Sequence, residues 1–323
     1  MILLNYSNLK TTKTNRLLIC LLIVLLPYMS ICQQIQDPPS LEGRWNIDVE
    51  IFDRQLPAWL EVKKSGHSSL VGRIMFLVGS ARPISKINFD DGNFSFSIPP
   101  QWDPCEDDIQ FEGILHADSI SGIVRYIEQK EYKWSGNRAP SLKRETVPEW
   151  GTPIKLFNGK DLQGWFANGE NQWIVESGIL KSPKPGSNLI TDTKFTDFKL
   201  HIEFRYEKDS NSGIFLRGRY EVQISDSKGK EPDEIQFSSV YGLLPPNEMV
   251  AKDAGEWQSF DITLIGRRVT IIANGIPVIV DQVIPGITGG ALDCYESEPG
   301  PLVLQGDHTP IEFRNIVLTP VKK

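Results

Sequence analysis

A chain of 323 residues exceeds what one ordinary core holds and suits two domains. Hydrophobic residues at 40% and charged residues at 23% exclude both a disordered and a membrane-embedded chain. A net charge of −7, with no clustered stripe of Lys and Arg, argues against nucleic acid as a partner.

The first 33 residues read differently from the rest. Lys10, Lys13 and Arg16 precede an apolar run from Leu17 to Leu26, followed by Pro27 and a short polar stretch. That is the order of charged, apolar and cleavage regions in an export signal, here residues 1–33. The apolar run is about half of the ~20 residues a membrane-spanning helix needs. The expectation is an exported protein, periplasmic or on the cell surface, with no spanning segment after processing. Cleavage before Gln33 or lipidation of Cys32 would complete that processing, although Ile31 is bulkier than lipidation usually accepts. Removal of the segment takes Cys20 with it and leaves Cys105 and Cys294, which are no disulfide framework.

Residues 40–147 follow a period of two. Trp45, Ile47, Val49 and Ile51 alternate with Asn46, Asp48 and Glu50, and Phe94, Phe96 and Ile98 alternate with Asn93, Ser95 and Ser97. Such spacing lines one face of a half-buried strand. Further strands are predicted over 70–77, 109–115, 119–126 and 130–134. Turn chemistry separates them at Lys64-Ser65-Gly66, Asp90-Asp91-Gly92 and Asp103-Pro104. Roughly six or seven short strands in about 100 residues predict a small antiparallel barrel or sandwich. Gly43-x-Trp45 is similar to the opening of lipocalin-like barrels, where the tryptophan plugs the floor; the plainer reading is a core tryptophan at the start of a strand. The stretch 137–153 carries Pro140, Pro148 and Pro153 with little periodicity, and reads as a linker with a boundary near residue 148.

Residues 148–323 are again strands. Leu200, Ile202 and Phe204 face one side, His201, Glu203 and Arg205 the other. In Tyr220–Ile224, Val222 and Ile224 take the core face, so Glu221 and Gln223 look into a cleft or into water. Phe260–Leu264 and Val269–Ala273 read as a hairpin, and Asn274-Gly275 turns tightly into Val278–Val280. Val303–Gln305 and Ile311–Leu318 close the domain, and a helix is predicted around Lys230–Phe237. So strand-rich a segment is most simply two curved sheets packed face to face.

A series of local strings runs through this second half. Leu156-Phe157-Asn158-Gly159-Lys160-Asp161-Leu162-x-Gly164-Trp165 opens it, followed by Trp173-x-Val175-Glu176-x-Gly178-x-Leu180 and Phe198-x-Leu200-x-Ile202-Glu203-Phe204-Arg205. Asn211-Ser212-Gly213-Ile214-Phe215-Leu216-Arg217 and Tyr220-Glu221-Val222-Gln223-Ile224-x-Asp226 come next. Gly300-Pro301-x-x-Leu304-Gln305-Gly306-Asp307-His308 and Phe313-Arg314-Asn315-Ile316 end the series. In register from about Ile154 to Pro320, the strings resemble the 3-keto-disaccharide hydrolase domain family. The resemblance implies an all-β fold, a concanavalin-like jelly-roll sandwich, with 3-keto sugars as the substrate class. Residues 40–147 lie outside it and bring no chemistry that the sequence names.

A glucoside oxidised at C3 has an acidic C2–H, and its C1 oxygen lies β to the ketone, so it can leave by elimination before water adds. Such a route needs a base, an enolate stabiliser and an acid for the leaving oxygen, and not the paired carboxylates of an ordinary glycosidase. Glu221 and His308 are the acid–base candidates, flanked by Arg217 and Asp307; Asp307 would raise the histidine's pKa. Gln223, Asp226, Tyr241, Asn211 and Gln305 are candidates for substrate contact. Each has a plainer alternative: a surface Glu221–Arg217 ion pair, a turn-forming Asp226, a Tyr241 packed under its loop, a solvated His308. No cofactor is required, though Glu221, Asp226, Asp307 and His308 are hard ligand types that leave room for Ca²⁺ or another divalent metal without any recognisable ligand spacing. Gly-rich phosphate loops, G-x-S-x-G elbows and Cys–His pairings are not visible. The alternatives to an enzyme are a carbohydrate-binding sandwich using Trp165, Tyr241 or Tyr295 as a stacking platform, and an adaptor whose N-terminal domain binds a protein.

Overall fold

The computed structural model describes residues 40–322, so the expected export signal, with Cys20 and Cys32, lies outside the described residues. Eight strands come first: β1 (Gly43–Ile51), β2 (Arg54–Ser65), β3 (Ser69–Phe76), β4 (Val78–Asp90), β5 (Asn93–Ile98), β6 (Ile109–His116), β7 (Ser119–Tyr126) and β8 (Lys130–Arg138). They pair antiparallel in chain order, and β1 closes on β8 to make a barrel. The alternation at 45–51 holds, with Trp45, Ile47, Val49 and Ile51 buried. Leu60, Val62, Ile74, Phe76, Phe94, Phe96 and Phe111 join them inside. An eight-stranded barrel is just wide enough for side chains to fill it. The Trp45 indole donates to the Leu41 carbonyl at 2.9 Å, and Arg138 lies over its ring, 3.7 Å from the centroid.

Strands β2 and β4 escape the sequence pattern. β2 buries Pro57, Ala58, Trp59 and Leu60 in succession, because the second half of the chain covers its outer face. Burial on both faces erases the polar positions that alternation relies on. β4 carries a buried Arg82 among its core residues, which hides it as a polar segment.

Thirteen further strands follow: β9 (Ile154–Lys155), β10 (Trp165–Ala167), β11 (Ile174–Glu176), β12 (Ile179–Ser182), β13 (Leu189–Phe195), β14 (Phe198–Tyr206), β15 (Asn211–Leu216), β16 (Tyr220–Ser225), β17 (Gln258–Ile265), β18 (Arg268–Ala273), β19 (Ile276–Val283), β20 (Gly300–Leu304) and β21 (Ile311–Pro320). One sheet runs β10-β13-β20-β15-β16; the other runs β11-β12-β21-β14-β17-β18-β19, with β9 beside β21. Together they form the jelly-roll sandwich. Leu200, Ile202 and Phe204 of β14 share its core with Ile214, Leu216, Val222 and Ile224 of β15 and β16. Each such side chain contributes about 1.5–3 kcal/mol by burial. The helix expected around 230–237 does not form. Pro232 lacks an N–H, the Asp233 side chain accepts the Ile235 N–H at 3.3 Å, and the segment is a run of turns.

Barrel and sandwich belong to one compact unit. Trp59 and Met75 point out of the barrel into the sandwich core. The Trp59 indole donates to the Ile287 carbonyl at 2.7 Å. Gly286 is required beside it, since a Cβ there would fall 2.3 Å from the indole. A buried polar cluster seals a second contact: Glu296, fully buried, meets Arg44 of β1 at 2.7 Å, the Tyr220 hydroxyl at 2.8 Å and Arg267 at 3.7 Å.

Candidate active site

Register decides which side chains leave the core. Gly213 pairs with Gln223 and Phe215 with Glu221 across β15 and β16, so Asn211, Gly213, Phe215, Glu221 and Gln223 share the face away from Val222 and Ile224. That face does not look into water. It floors a cleft of about 500 Å³, lined also by Gln305, Asp307, His308 and Tyr241. The barrel adds Val78, Gly79 and Trp102.

Glu221 is only 5% exposed. Among the described residues no cation lies within ion-pair range of its carboxylate. Burial, and then the negative charge of Asp307, push its pKa from the ordinary 4.5 up to about 8. Gly213 opposite has to be glycine, since a Cβ there would sit 2.3 Å from Oε1 of Glu221. The Gln223 amide spans the floor: one end lies 2.9 Å from the Asn211 amide oxygen, the other 3.3 Å from Oε1 of Glu221. The orientation in which its nitrogen donates to the glutamate also satisfies the Ser212 carbonyl.

His308 follows β20 in a braced turn. Its Nδ1 lies 2.5 Å from Oδ1 of Asp307, and that hydrogen bond raises the imidazole pKa against the opposing effect of burial. The neighbouring Thr309 hydroxyl holds both backbone groups of Asn211, accepting from the N–H at 3.0 Å and donating to the carbonyl at 2.7 Å. Gln305, at 8% exposure, has an Oε1 with no hydrogen-bond partner. A buried, unsatisfied acceptor in a cleft wall invites a ligand hydroxyl. The Tyr241 phenol lies above its ordinary pKa through burial and then the charge of Glu221, while a hydrogen bond from Trp102 pulls the other way.

Seven of the nine candidates therefore line one cleft: Glu221, His308, Asp307, Gln223, Tyr241, Asn211 and Gln305. Arg217 does not. β15 ends at Leu216, and Arg217 takes a left-handed turn conformation (φ +54), so strand alternation no longer directs its side chain. Its guanidinium instead donates to the Gly266 carbonyl at 2.7 Å, the Tyr220 hydroxyl at 3.0 Å and the Glu296 carbonyl at 3.2 Å. Asp226 also lies outside the cleft lining. It accepts the Asp209 N–H at 3.0 Å and closes the turn before β15. Of the four hard-ligand types named above, Glu221, Asp307 and His308 line the cleft and Asp226 does not, and among the described residues no group of three His, Cys, Asp or Glu is arranged to hold a metal ion. Trp165 is a core residue, its indole donating to the Leu156 carbonyl at 2.7 Å, and offers no stacking face. Sequence reasoning missed Val78, Gly79 and Trp102; a lone tryptophan in the polar loop Gln101-Trp102-Asp103 was the available signal.

Residues 152–319 match the 3-keto-alpha-glucoside-1,2-lyase-like domain. A 3-keto-disaccharide hydrolase of Bacteroides thetaiotaomicron is 28% identical over a match spanning 34% of this chain and 51% of that relative, so the chain spans about half of the relative's length. Among solved structures, a provisionally assigned glycosyl hydrolase of Parabacteroides distasonis is 31% identical, covering 55% of this chain and 92% of its own, with a TM-score of 0.44. A second from the same organism is 19% identical, covering 53% and 94%, also at 0.44. With more than half of its length matched in register, and with the strands of that match carrying the cleft floor, the chain belongs to the 3-keto-alpha-glucoside-1,2-lyase-like domain family.

Proposed function

We propose that the protein is an exported carbohydrate-active enzyme that cleaves 3-keto glycosides or disaccharides by elimination and hydration. One observation carries the reading: a buried glutamate with a raised pKa shares a cleft with an Asp–His pair. A carboxylate of pKa about 8 is a stronger base than a solvated one and remains usable near neutral pH. Glu221 takes the C2 proton, and the electron pair moves into the C3 carbonyl as an enolate. Tyr241 and Gln223, which line the same cleft, hydrogen-bond the developing charge. The enolate then expels the C1 oxygen, which takes its proton from His308, whose hold on a proton the Asp307 hydrogen bond strengthens. Water adds to C1 of the resulting enone, giving its proton to His308 while Glu221 returns one to C2, so the cycle closes as a net hydrolysis. The family's description as a 1,2-lyase supports elimination across C1 and C2.

The test is turnover of a 3-keto glucoside carrying a chromogenic leaving group. Wild type is expected to release the chromophore in EDTA, and Glu221→Gln and His308→Ala to lose roughly 100-fold or more. The wild-type pH profile of kcat/KM is a bell. In His308→Ala the alkaline fall disappears, and the residual rate climbs to a plateau above about pH 8, where Glu221 is ionised. A folded wild type that binds glycans without turning over the keto glucoside would sink catalysis and leave a carbohydrate-binding module.

A further inference from the structure

The acid–base residues all come from the sandwich, yet the barrel builds one wall of their cleft. Its largest contribution is Trp102, 68% exposed in the loop between β5 and β6. An open indole forgoes the free energy of burial, and this one is held open by both of its neighbours. Gln101 Oε1 accepts the Ser80 N–H at 2.8 Å. The Asp103 carboxylate pairs with the buried Arg82 at 2.6 Å and accepts the Tyr126 hydroxyl at 3.1 Å. Arg82 in turn donates to the carbonyls of Pro99 and Phe76, each at 3.0 Å. The ring itself lies over Gly79, where even a Cβ would come within 3.1 Å of Cδ1.

The wall is also fixed against the floor. Trp59 locks the barrel to the Ile287 carbonyl, and Gly289 lies so close to Gly79 that a Cβ on it would fall 2.9 Å from the Gly79 oxygen. Trp102 thus meets the requirement for a recognition surface: a rigid aromatic face whose ordering cost was met on folding. Tyr241 lines the same cleft as Trp102 and feels the charge of Glu221.

We propose that Trp102 is the platform on which the ring of the leaving group stacks, so that the barrel makes the cleft a two-ring site. The inference rests on the reading of the cleft as a glycoside site. A sugar ring seated between Glu221 and His308 fills the sandwich side, and its aglycone projects toward the one wall the sandwich does not supply. A pyranose or aryl face packs on indole; a methyl group cannot cover it. Selectivity for ring-bearing over alkyl aglycones follows, and binding energy from that remote ring is available to the chemical step.

Calorimetric titration with phenyl α-D-glucopyranoside, trehalose and methyl α-D-glucopyranoside tests this, on wild type, Trp102→Ala and Trp102→Phe. Wild type should prefer the two-ring ligands by roughly tenfold. Trp102→Ala should abolish the preference while leaving the methyl glucoside within about twofold, and Trp102→Phe should keep most of it. Because the ring is exposed, all three proteins should melt together. A wild type without the preference, or a Trp102→Ala that weakens all three ligands equally, overturns the proposal. Turnover of the 3-keto phenyl and methyl glucosides separates the two readings. A preference in binding with no turnover removes catalysis and keeps the platform, whereas turnover without ring preference keeps catalysis and removes the platform.

Discussion

Two buried glutamates lie on opposite sides of the β15–β16 hairpin, and their surroundings could hardly differ more. Glu296 is fully buried and saturated: Arg44 at 2.7 Å, the Tyr220 hydroxyl at 2.8 Å and Arg267 at 3.7 Å answer its charge. Glu221 is 5% exposed, faces the acidic Asp307, and has no cation within ion-pair range among the described residues. A carboxylate answered by two guanidinium groups and a hydroxyl holds two bodies together. One left without them is displaced toward neutrality and becomes reactive. The difference between glue and candidate site therefore lies in the partners, not in depth of burial.

That contrast can be broken at either end. The largest effect is expected at Glu296: replacing it with alanine strands Arg44 and Arg267 without an anion and should cost about 3–5 kcal/mol in denaturant unfolding. A cost below about 1 kcal/mol would mean that the cluster holds nothing. At Glu221 the sign reverses. Its folded pKa, about 8, lies above the ordinary 4.5, so between those values the folded state keeps a proton that the unfolded chain has lost. Stability must fall as pH rises through that window. Glu221→Gln should therefore gain on the order of a few kcal/mol over wild type at pH 9, with no gain near pH 4.5. Equal melting of the two proteins at pH 9 would show a carboxylate better compensated than its surroundings suggest. The smallest effect sharpens the outline of the site. Asp226→Asn, weakening one acceptor in a turn, should cost about 1 kcal/mol and leave turnover unchanged. A large loss of rate there would return Asp226 to the cleft.

Alternation was reliable wherever one face met the core and the other met something polar. β1, β5, β6 and β14 were legible for that reason, and so was the pair Glu221 and Gln223 on the far side of Val222 and Ile224. It failed where that premise failed. β2 is covered on both faces, and Arg217 sits past the end of its strand in a turn whose backbone no longer alternates. The expected helix failed for a local reason as well, since the side chain of Asp233 outcompetes helical pairing.

The chain's own order of residues determined that both halves would be strands, which family the second half resembles, and most of the polar residues that gather in the cleft. These follow from period, turn chemistry and contiguous strings, all properties of neighbours along the chain. Only the tertiary structure decided that Glu221 would be left without a cation, that Arg217 would serve the joint and not the cleft, and that the barrel would bring Trp102 to the same opening. Those outcomes depend on groups far apart in sequence meeting at one surface. The electrostatic and packing terms that set them act through space, over distances that no local pattern records.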